Sequence, residues 1–546
     1  MEKLPLLPEV ATKQQIRASS LKCWVIVSLI LTCSGVALNM WPVLLPTRSQ
    51  PVTLKYNGEQ MVWEPCGFYK GNSAECSSID VPMDQFNQSN SEDASFTIPL
   101  IRIRGINATQ NILLNPGGPG ASGFEFLNQH GEQLRAVVGE GFHLLSFDPR
   151  GVGGSTPLAS CYPDTRTREH LAPVRFRNVK IDSPEAYAWT QNFVKACPEN
   201  MGKHAKYLNT PQTAADMNYI LDALGQKDMI YWGFSYGSLL GQTYAGLFPE
   251  RSKRVIIDGV VDQFKWYDGT FETKSQVDTD MVLHGFFDEC VKAGSKCSLS
   301  SLSTSSEELR DMVLLSMKKL QEEPISAYVN KALYGILRHE KLWYDGVLSA
   351  LYDSSTWASL ANHLHSLIQG NATDAFLAYG IEDVWDMGHE ASEFIRLNDG
   401  LTGPEHWPQD RQSLLDIILP LFNQSMFGAS QSKWFFMRQQ WAVPRTHSYV
   451  PRKGVKTAHP LLILSTTYDP VCPLTLARSA QEAFEGSQIV EIKGYGHSSI
   501  SVTSLCTAKI IREFLYKGSL PKTYTACEVD SPYFKGSDAL PARRYI

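Results

Sequence analysis

Basic residues are not in excess in this chain. Its 50 Lys and Arg stand against 56 Asp and Glu, a formal net charge of −6 over 546 residues. A nucleic-acid binder needs a basic stripe for the phosphates, so no nucleic-acid partner is expected. Internal repeats and long low-complexity runs are lacking, which argues against a repeat array. No group of Cys and His falls at zinc-ligand spacing, so no metal site is expected. Charge is also missing from one stretch: residues 23–47 carry none, and they begin Cys23-Trp24-Val25-Ile26-Val27-Ser28-Leu29-Ile30-Leu31. About 20 apolar residues suffice to span a bilayer. Lys3, Lys13, Arg17 and Lys22 precede this stretch against Glu2 and Glu9, so the leading side stays cytosolic and the rest faces the lumen or the outside. The long leading region and the lack of an A-x-A-like site favour a retained signal anchor, 23–45 behind a cytosolic tail 1–22, over a cleaved signal peptide and a secreted product.

What is present beyond that stretch fits export. Sequons stand at Asn87, Asn107, Asn371 and Asn423, each a candidate glycosylation site. Nine of the eleven cysteines also lie beyond it. Neighbour spacing suggests disulfides Cys66–Cys76, Cys161–Cys197, Cys290–Cys297 and Cys506–Cys527, with Cys472 left over, although spacing alone does not fix connectivity.

The chemistry centres on Asp228–Ser238, D-M-I-Y-W-G-F-S-Y-G-S. A short apolar run, Met229–Trp232, reads as a buried strand. It enters Gly233-Phe234-Ser235-Tyr236-Gly237, and a small-residue helix follows over 238–247. This is G-x-S-x-G between a strand and a helix, the context in which a sharp turn lifts a serine hydroxyl out of a sheet. The turn strains the serine backbone, and the flanking glycines give the chain room to fold back.

Other elements fall into place around it. Residues 46–95, rich in Ser, Asn, Gln and Asp, read as a stem and leading loops. Phe96–Ile103 alternates and reads as an edge strand. Asn111–Leu114 is a short apolar run ending in N-P-G-G-P-G-A-S-G at 115–123, a loop whose open backbone N–H groups suit an oxyanion. Phe142–Phe147 is another strand, followed by Asp148 and Arg150, which read as braces for the loops. Helical periodicity over 213–224 stops at Gly225. Val255–Gly259, 461–465 and 487–492 complete a strand–helix alternation that implies a parallel sheet with helices on both faces. Between 262 and 450 helical patterns dominate, including 275–293, 306–322 and 340–361, and aromatics are dense. This segment reads as a helical cap inserted between core parts 96–261 and 451–546. Such a lid would exclude water and shape a pocket.

Ser235, Asp469 and His497 each follow a strand end, in the chain order of an α/β-hydrolase triad. The serine hydroxyl needs a base to attack. His497 would take its proton and return it to the leaving group, and Asp469 would fix the imidazole tautomer. Backbone N–H of Gly118 and Tyr236 would hold the oxyanion, a contribution of about 3 kcal/mol per donor.

These motifs resemble the tripeptidyl aminopeptidase and proline iminopeptidase group of α/β-hydrolases, more narrowly the secreted bacterial tripeptidyl aminopeptidases and their fungal relatives. The resemblance runs through N-P-G-G-P-G-A-S-G at 115–123, F-D-P-R-G-V-G-G-S at 147–155 and G-F-S-Y-G-S at 233–238. Its most specific part is the tail: Y-D-P-V-C-P-L at 468–474, G-Y-G-H-S-S at 494–499, S-L-C at 504–506 and G-S-L-P-K-T-Y-T-A-C at 518–527. It implies an α/β fold, a helical cap, no cofactor, and release of single residues or short peptides from free N-termini. It also supports the Cys506–Cys527 pair. Two departures stand out. Asn115 occupies the place of a His in standard proline iminopeptidases. Asp383 and Arg438 stand where the family's cap often carries two cysteines, which suggests either an ion pair in place of a disulfide or a cap that has diverged.

Three functions compete. An anchored or secreted aminopeptidase must pair the substrate's ammonium, for which Glu382, Asp383 and Asp386 are candidates against a reading as a solvated acidic face. An esterase or amide hydrolase of a small metabolite would keep the three residues and change the pocket. A hydrolase fold kept as an inactive binding ectodomain is the third.

Overall fold

In the computed structural model the described residues are 53–69, 72–106, 108–172, 174, 178–381 and 390–535. The expected tail and anchor, the sequon Asn107, and Glu382, Asp383 and Asp386 lie outside them. Among the described residues, no helix is long and apolar enough to cross a membrane.

Eleven strands form one sheet. In chain order they are β1 Leu54–Lys55, β2 Val62–Tyr69, β3 Asn72–Pro82, β4 Ser95–Ile103, β5 Asn111–Asn115, β6 His143–Phe147, β7 Met229–Phe234 and β8 Ser252–Asp258, then β11 Leu462–Tyr468, β12 Gln488–Tyr495 and β13 Thr525–Glu528. Two further strands, β9 Ile325–Asn330 and β10 Leu333–Leu337, pair antiparallel as a separate hairpin. The order in the sheet is β1-β2-β3-β4-β6-β5-β7-β8-β11-β12-β13. Pairing is antiparallel from β1 to β6 and parallel from β6 onward. The parallel strands β5, β6 and β7 are buried at every position, as a sheet covered on both faces requires. Each large apolar side chain so buried contributes about 1.5–3 kcal/mol.

The first strands correct two expectations. Within the expected stem, Leu54–Lys55, Val62–Tyr69 and Asn72–Pro82 are strands. Their antiparallel pairing to β4 puts Phe96–Ile103 inside the sheet instead of at its edge. Ser73, Ser78 and Asp80, residue types that suggest loops, are exposed on β3, while Trp63, Ala74 and Val81 are buried.

The helical region over 262–450 has two parts. One has its own core, in which Phe286, Leu309, Trp357 and Phe376 meet around the helices Thr279–Ala293, Ser306–Glu322 and Trp357–Ile368. The stretch expected as one helix at 340–361 is broken: a wide-turn helix Lys341–Leu348 runs into Ser349–Tyr352, and a new helix starts at Trp357. The second part, around Ala391–Asp399 and Ser432–Gln440, shares the main core of the sheet domain through Phe394, Trp434 and Trp441. A helix not anticipated from sequence, Val179–Met201, joins it by packing Val179 and Ala186 on Leu414, Phe435 and Phe436. The four expected disulfides are formed, and Cys472 is free and buried. Asn87, Asn371 and Asn423 are exposed.

Candidate active site

The parallel strands end on one edge, and that edge collects the chemistry. Ser235 lies between β7 and the helix Tyr236–Leu247 with φ 55° and ψ −123°. A non-glycine residue there costs on the order of 1–3 kcal/mol and must be held. Three bonds hold it. Ser235 N–H donates to the Asp258 carbonyl at 2.9 Å. Its own carbonyl accepts from Ser238 N–H at 2.8 Å and from the Ser238 hydroxyl at 2.5 Å. Close packing then explains the small residues. A Cβ on Gly233 would lie 2.2 Å from the Gly237 carbonyl oxygen, and one on Gly117 would lie 2.9 Å from both Ser235 Cβ and Tyr236 N. The loop after β5 therefore presses directly on the serine turn. Gly118 follows Gly117 in that loop, and among the described residues neither Gly118 N–H nor Tyr236 N–H meets a backbone or side-chain acceptor.

Asp469, after β11, is fully buried. Its Oδ1 accepts Val471 N–H at 2.9 Å and Cys472 N–H at 2.8 Å, and its Oδ2 accepts Ser498 N–H at 3.1 Å. His497 Nδ1 stands 2.9 and 2.8 Å from the two carboxylate oxygens. Such a bond favours the tautomer protonated at Nδ1, with Nε2 as the nitrogen able to accept a proton. His497 Nε2 is buried and, among the described residues, makes no hydrogen bond to Ser235 or to any other group. The imidazole is seated by Tyr352, whose carbonyl accepts His497 N–H at 2.8 Å and whose ring meets it edge-on at 5.1 Å. Histidine and serine rest on the same corner: a Cβ on Gly259 would lie 3.2 Å from His497 Cε1, and the preceding carbonyl, that of Asp258, holds Ser235.

Asp258 was not singled out from sequence. Its buried carboxylate accepts Ser499 N–H at 2.8 Å, the Ser499 hydroxyl at 2.5 Å and Trp232 Nε1–H at 3.2 Å. Burial raises its pKa to about 6, against the opposing hydrogen bonds from Ser499 and Trp232. The signal was available, since Asp258 ends the strand beside the serine turn. Asp148 and Arg150 brace, as read. Asp148 accepts from Ser122 Oγ, Gly123 N–H and Gly154 N–H, and Arg150 forks onto Asp216. Asn115 Oδ1 accepts Gly117 N–H at 3.1 Å and so shapes the glycine loop. Arg438 is paired with Glu272, at 2.6 and 3.0 Å, a partner 166 residues away that the expected ion pair with Asp383 did not foresee. Asp469, Cys472 and His497 each bring one ligand-type atom within 4.8 Å of the others. Burial raises the Cys472 thiol well above its usual range, which disfavours the thiolate a metal would need.

A mostly parallel sheet with a strained serine, a histidine and an acid at its carboxyl edge defines an α/β-hydrolase of the serine-hydrolase class. Within that class, the chain is similar to proteins named tripeptidyl aminopeptidase. Residues 110–291 match the family model described as alpha/beta hydrolase fold, and residues 424–527 match the one described as TAP-like protein. The chain is 24% identical to the tripeptidyl aminopeptidase of Streptomyces lividans, over 85% of this chain and 86% of that protein. It is 24% identical to the serine protease Hip1 of Mycobacterium tuberculosis, over 86% and 91%. A protein of that species named carboxylesterase B matches at 24% over 86% and 90%.

Proposed function

We propose that the protein is an exported serine aminopeptidase working through Ser235, His497 and Asp469. Ser235 Oγ attacks the scissile carbonyl carbon while its proton passes to His497 Nε2. The developing oxyanion is met by the N–H groups of Tyr236 and Gly118. The C–N bond breaks, the amine leaves with the proton from Nε2, and an acyl ester remains on Ser235. Water, deprotonated by the same imidazole, cleaves that ester and releases the N-terminal fragment. The observation that carries this reading is the seating of His497: Nδ1 is bound to Asp469, and Nε2 has no partner beside the corner that holds the serine. Substrate class rests on the similarity to proteins named tripeptidyl aminopeptidase. Four disulfides support an oxidising compartment, with residues 23–45 as the membrane anchor.

A second reading, an esterase of a small metabolite, is favoured by the relative named carboxylesterase B at the same identity. One comparison separates the two. A fluorophosphonate probe is expected to label the wild type and not Ser235→Ala. Tripeptide, Ala and X-Pro anilides are then assayed beside aryl esters. Turnover of at least one anilide carrying a free N-terminus, lost on acetylation of that terminus, is the expected result. Turnover of esters alone would leave the esterase.

A further inference from the structure

The cap carries a buried surplus of positive charge beside the site. Glu272 is the only carboxylate among the described residues that bonds Arg438 or Arg396, and it serves both. Arg438 takes its two oxygens at 2.6 and 3.0 Å, and Arg396 Nη1 reaches Oε1 at 3.1 Å. One negative charge thus faces two positive ones, in side chains whose exposures are 0%, 1% and 12%. The other acids nearby are engaged elsewhere. Glu393 pairs with Lys433 at 3.0 Å. Asp399 accepts from Thr210 N–H, the Thr210 hydroxyl and Trp266 Nε1–H, and burial raises its pKa to about 6. A buried net charge is costly unless something meets it.

Both guanidiniums have a buried Nε without a partner, but Arg438 uses both of its Nη atoms on Glu272 and Arg396 only one. Arg396 Cζ lies over the ring of Trp266, at 4.8 Å, and over that of Trp434, at 4.5 Å. The edge toward Glu272 is used. On the other edge Nε is buried without a partner, and Nη2 makes no bond among the described residues. The Nε/Nη2 fork is one a carboxylate grips with two parallel bonds. Its position relates it to the reacting groups. The Trp266 ring meets that of Tyr236, the residue after Ser235, at 5.6 Å and a tilt of 44°. The Arg396 charge acts on the Tyr236 and Tyr352 hydroxyls and on the Cys472 thiol, groups beside the serine, the histidine and the acid respectively.

We propose that the free Nε/Nη2 edge of Arg396 binds a carboxylate of the substrate, so that the enzyme selects acyl compounds carrying an anionic group near the scissile bond. A short peptide with a free C-terminus, an acidic side chain, and a monoester of a dicarboxylic acid share this chemistry. The proposal rests on Ser235 as nucleophile but not on the bond being a peptide.

The test uses the purified full chain and matched pairs. In one arm, 4-nitrophenyl hydrogen glutarate is compared with 4-nitrophenyl pentanoate, which puts the carboxylate on the acyl side. In the other, 4-acetoxybenzoate is compared with its methyl ester, which puts it on the leaving side. In the peptide arm, alanyl-alanyl-alanine is compared with its C-terminal amide. Wild type is expected to favour the carboxylate by tenfold or more in kcat/KM in at least one arm. That preference should fall below about threefold in Arg396→Gln and be partly kept in Arg396→Lys. Turnover of the neutral partner should change less than twofold. Equal turnover of every pair by wild type overturns the proposal even if no variant folds, as does a preference unchanged in Arg396→Gln. If fluorophosphonate labelling of Ser235 is absent, the nucleophile reading has failed instead. Calorimetric titration of wild type and Arg396→Gln with glutarate then decides the carboxylate site: binding lost in the variant supports it, and no binding to wild type overturns it.

Discussion

At the end of β8 one residue touches both sides of the chemistry. The Asp258 carbonyl takes the Ser235 N–H, and its carboxylate takes Ser499, two residues beyond His497. Removing the carboxylate frees the histidine loop while leaving the serine turn in place. Asp258→Ala is therefore expected to lower kcat by about 10- to 100-fold, the loss of two charge-assisted bonds, with little change in KM. Steady-state kinetics on an ester checks this, and Asp258→Asn, which keeps one acceptor oxygen, should recover part of the loss. The same residue gives a pH signature. Its folded pKa of about 6 lies above the ordinary 3.8, so the folded state binds the proton more tightly than the unfolded chain. Its favourable contribution is full below pH 4 and is lost as pH rises through 6, by an amount on the order of 3 kcal/mol. Melting temperatures of wild type and Asp258→Asn measured from pH 4 to 7 should diverge in that sense, wild type losing ground as pH rises. Parallel curves would remove the assignment.

Among the elements, three pieces of the 262–450 region are tied to one another by charge as well as by packing. Glu272 comes from the short helix Phe271–Thr273, Arg396 from the helix Ala391–Asp399 and Arg438 from the helix Ser432–Gln440. Burial pushes the Glu272 carboxyl up, but the two guanidinium groups outweigh it and hold it below its usual value. Glu272→Gln would leave Arg438 buried without its counter-ion, a loss of about 3–5 kcal/mol. Urea titration followed by tryptophan fluorescence should show it, since Trp266, Trp434 and Trp441 surround the cluster. A midpoint shift under about 1 kcal/mol in free energy would mean that the ion network is not what fastens these helices. The sequence singled out Arg438 as an ion-pair partner but pointed to Asp383; Glu272 was not legible, because it lies 166 residues from Arg438 and alone reads as a surface charge. The serine turn was legible for the opposite reason. A run buried on both faces, a turn that needs glycine at fixed places and a helix of small residues lie within twenty consecutive positions, and local rules decide each. The helix Val179–Met201 was hidden by Pro184 and Pro198 within it and by a weak apolar stripe. Strand β3 was hidden because its exposed positions carry the Ser and Asp that loops also carry, and β2 because Pro65 and Gly67 interrupt its pattern.

At the scale of the molecule, the disulfides decide where this fold can exist. Cys161–Cys197 spans 36 residues and pins the chain beyond β6 to the long helix that meets the cap. Cys506–Cys527 spans 21 and fastens the closing helix Leu505–Lys517 to β13, the last strand of the sheet. Loop-closure entropy assigns about 4 and about 3 kcal/mol to these two links. A chain held in a reducing compartment would lose both, while oxidation would leave Cys472 as the free thiol among the described residues. That thiol is buried and its pKa is raised by burial and by the neighbouring Asp469, so it should be inert until the core opens. The pattern is read by alkylating the protein from its native source without reductant, before and after unfolding in guanidinium, and mapping peptides by mass spectrometry. The Cys472 peptide should gain label only after unfolding, and the eight paired cysteines only after added reductant. Pairing Cys161→Ser with Cys197→Ser should lower the thermal midpoint and keep fluorophosphonate labelling at 25 °C, because the serine turn, Asp258 and the histidine loop are built without that bridge. Labelling of Cys161 and Cys197 in the native, unreduced protein would instead mean that the fold is made in a reducing compartment, and the exported orientation would fall with it.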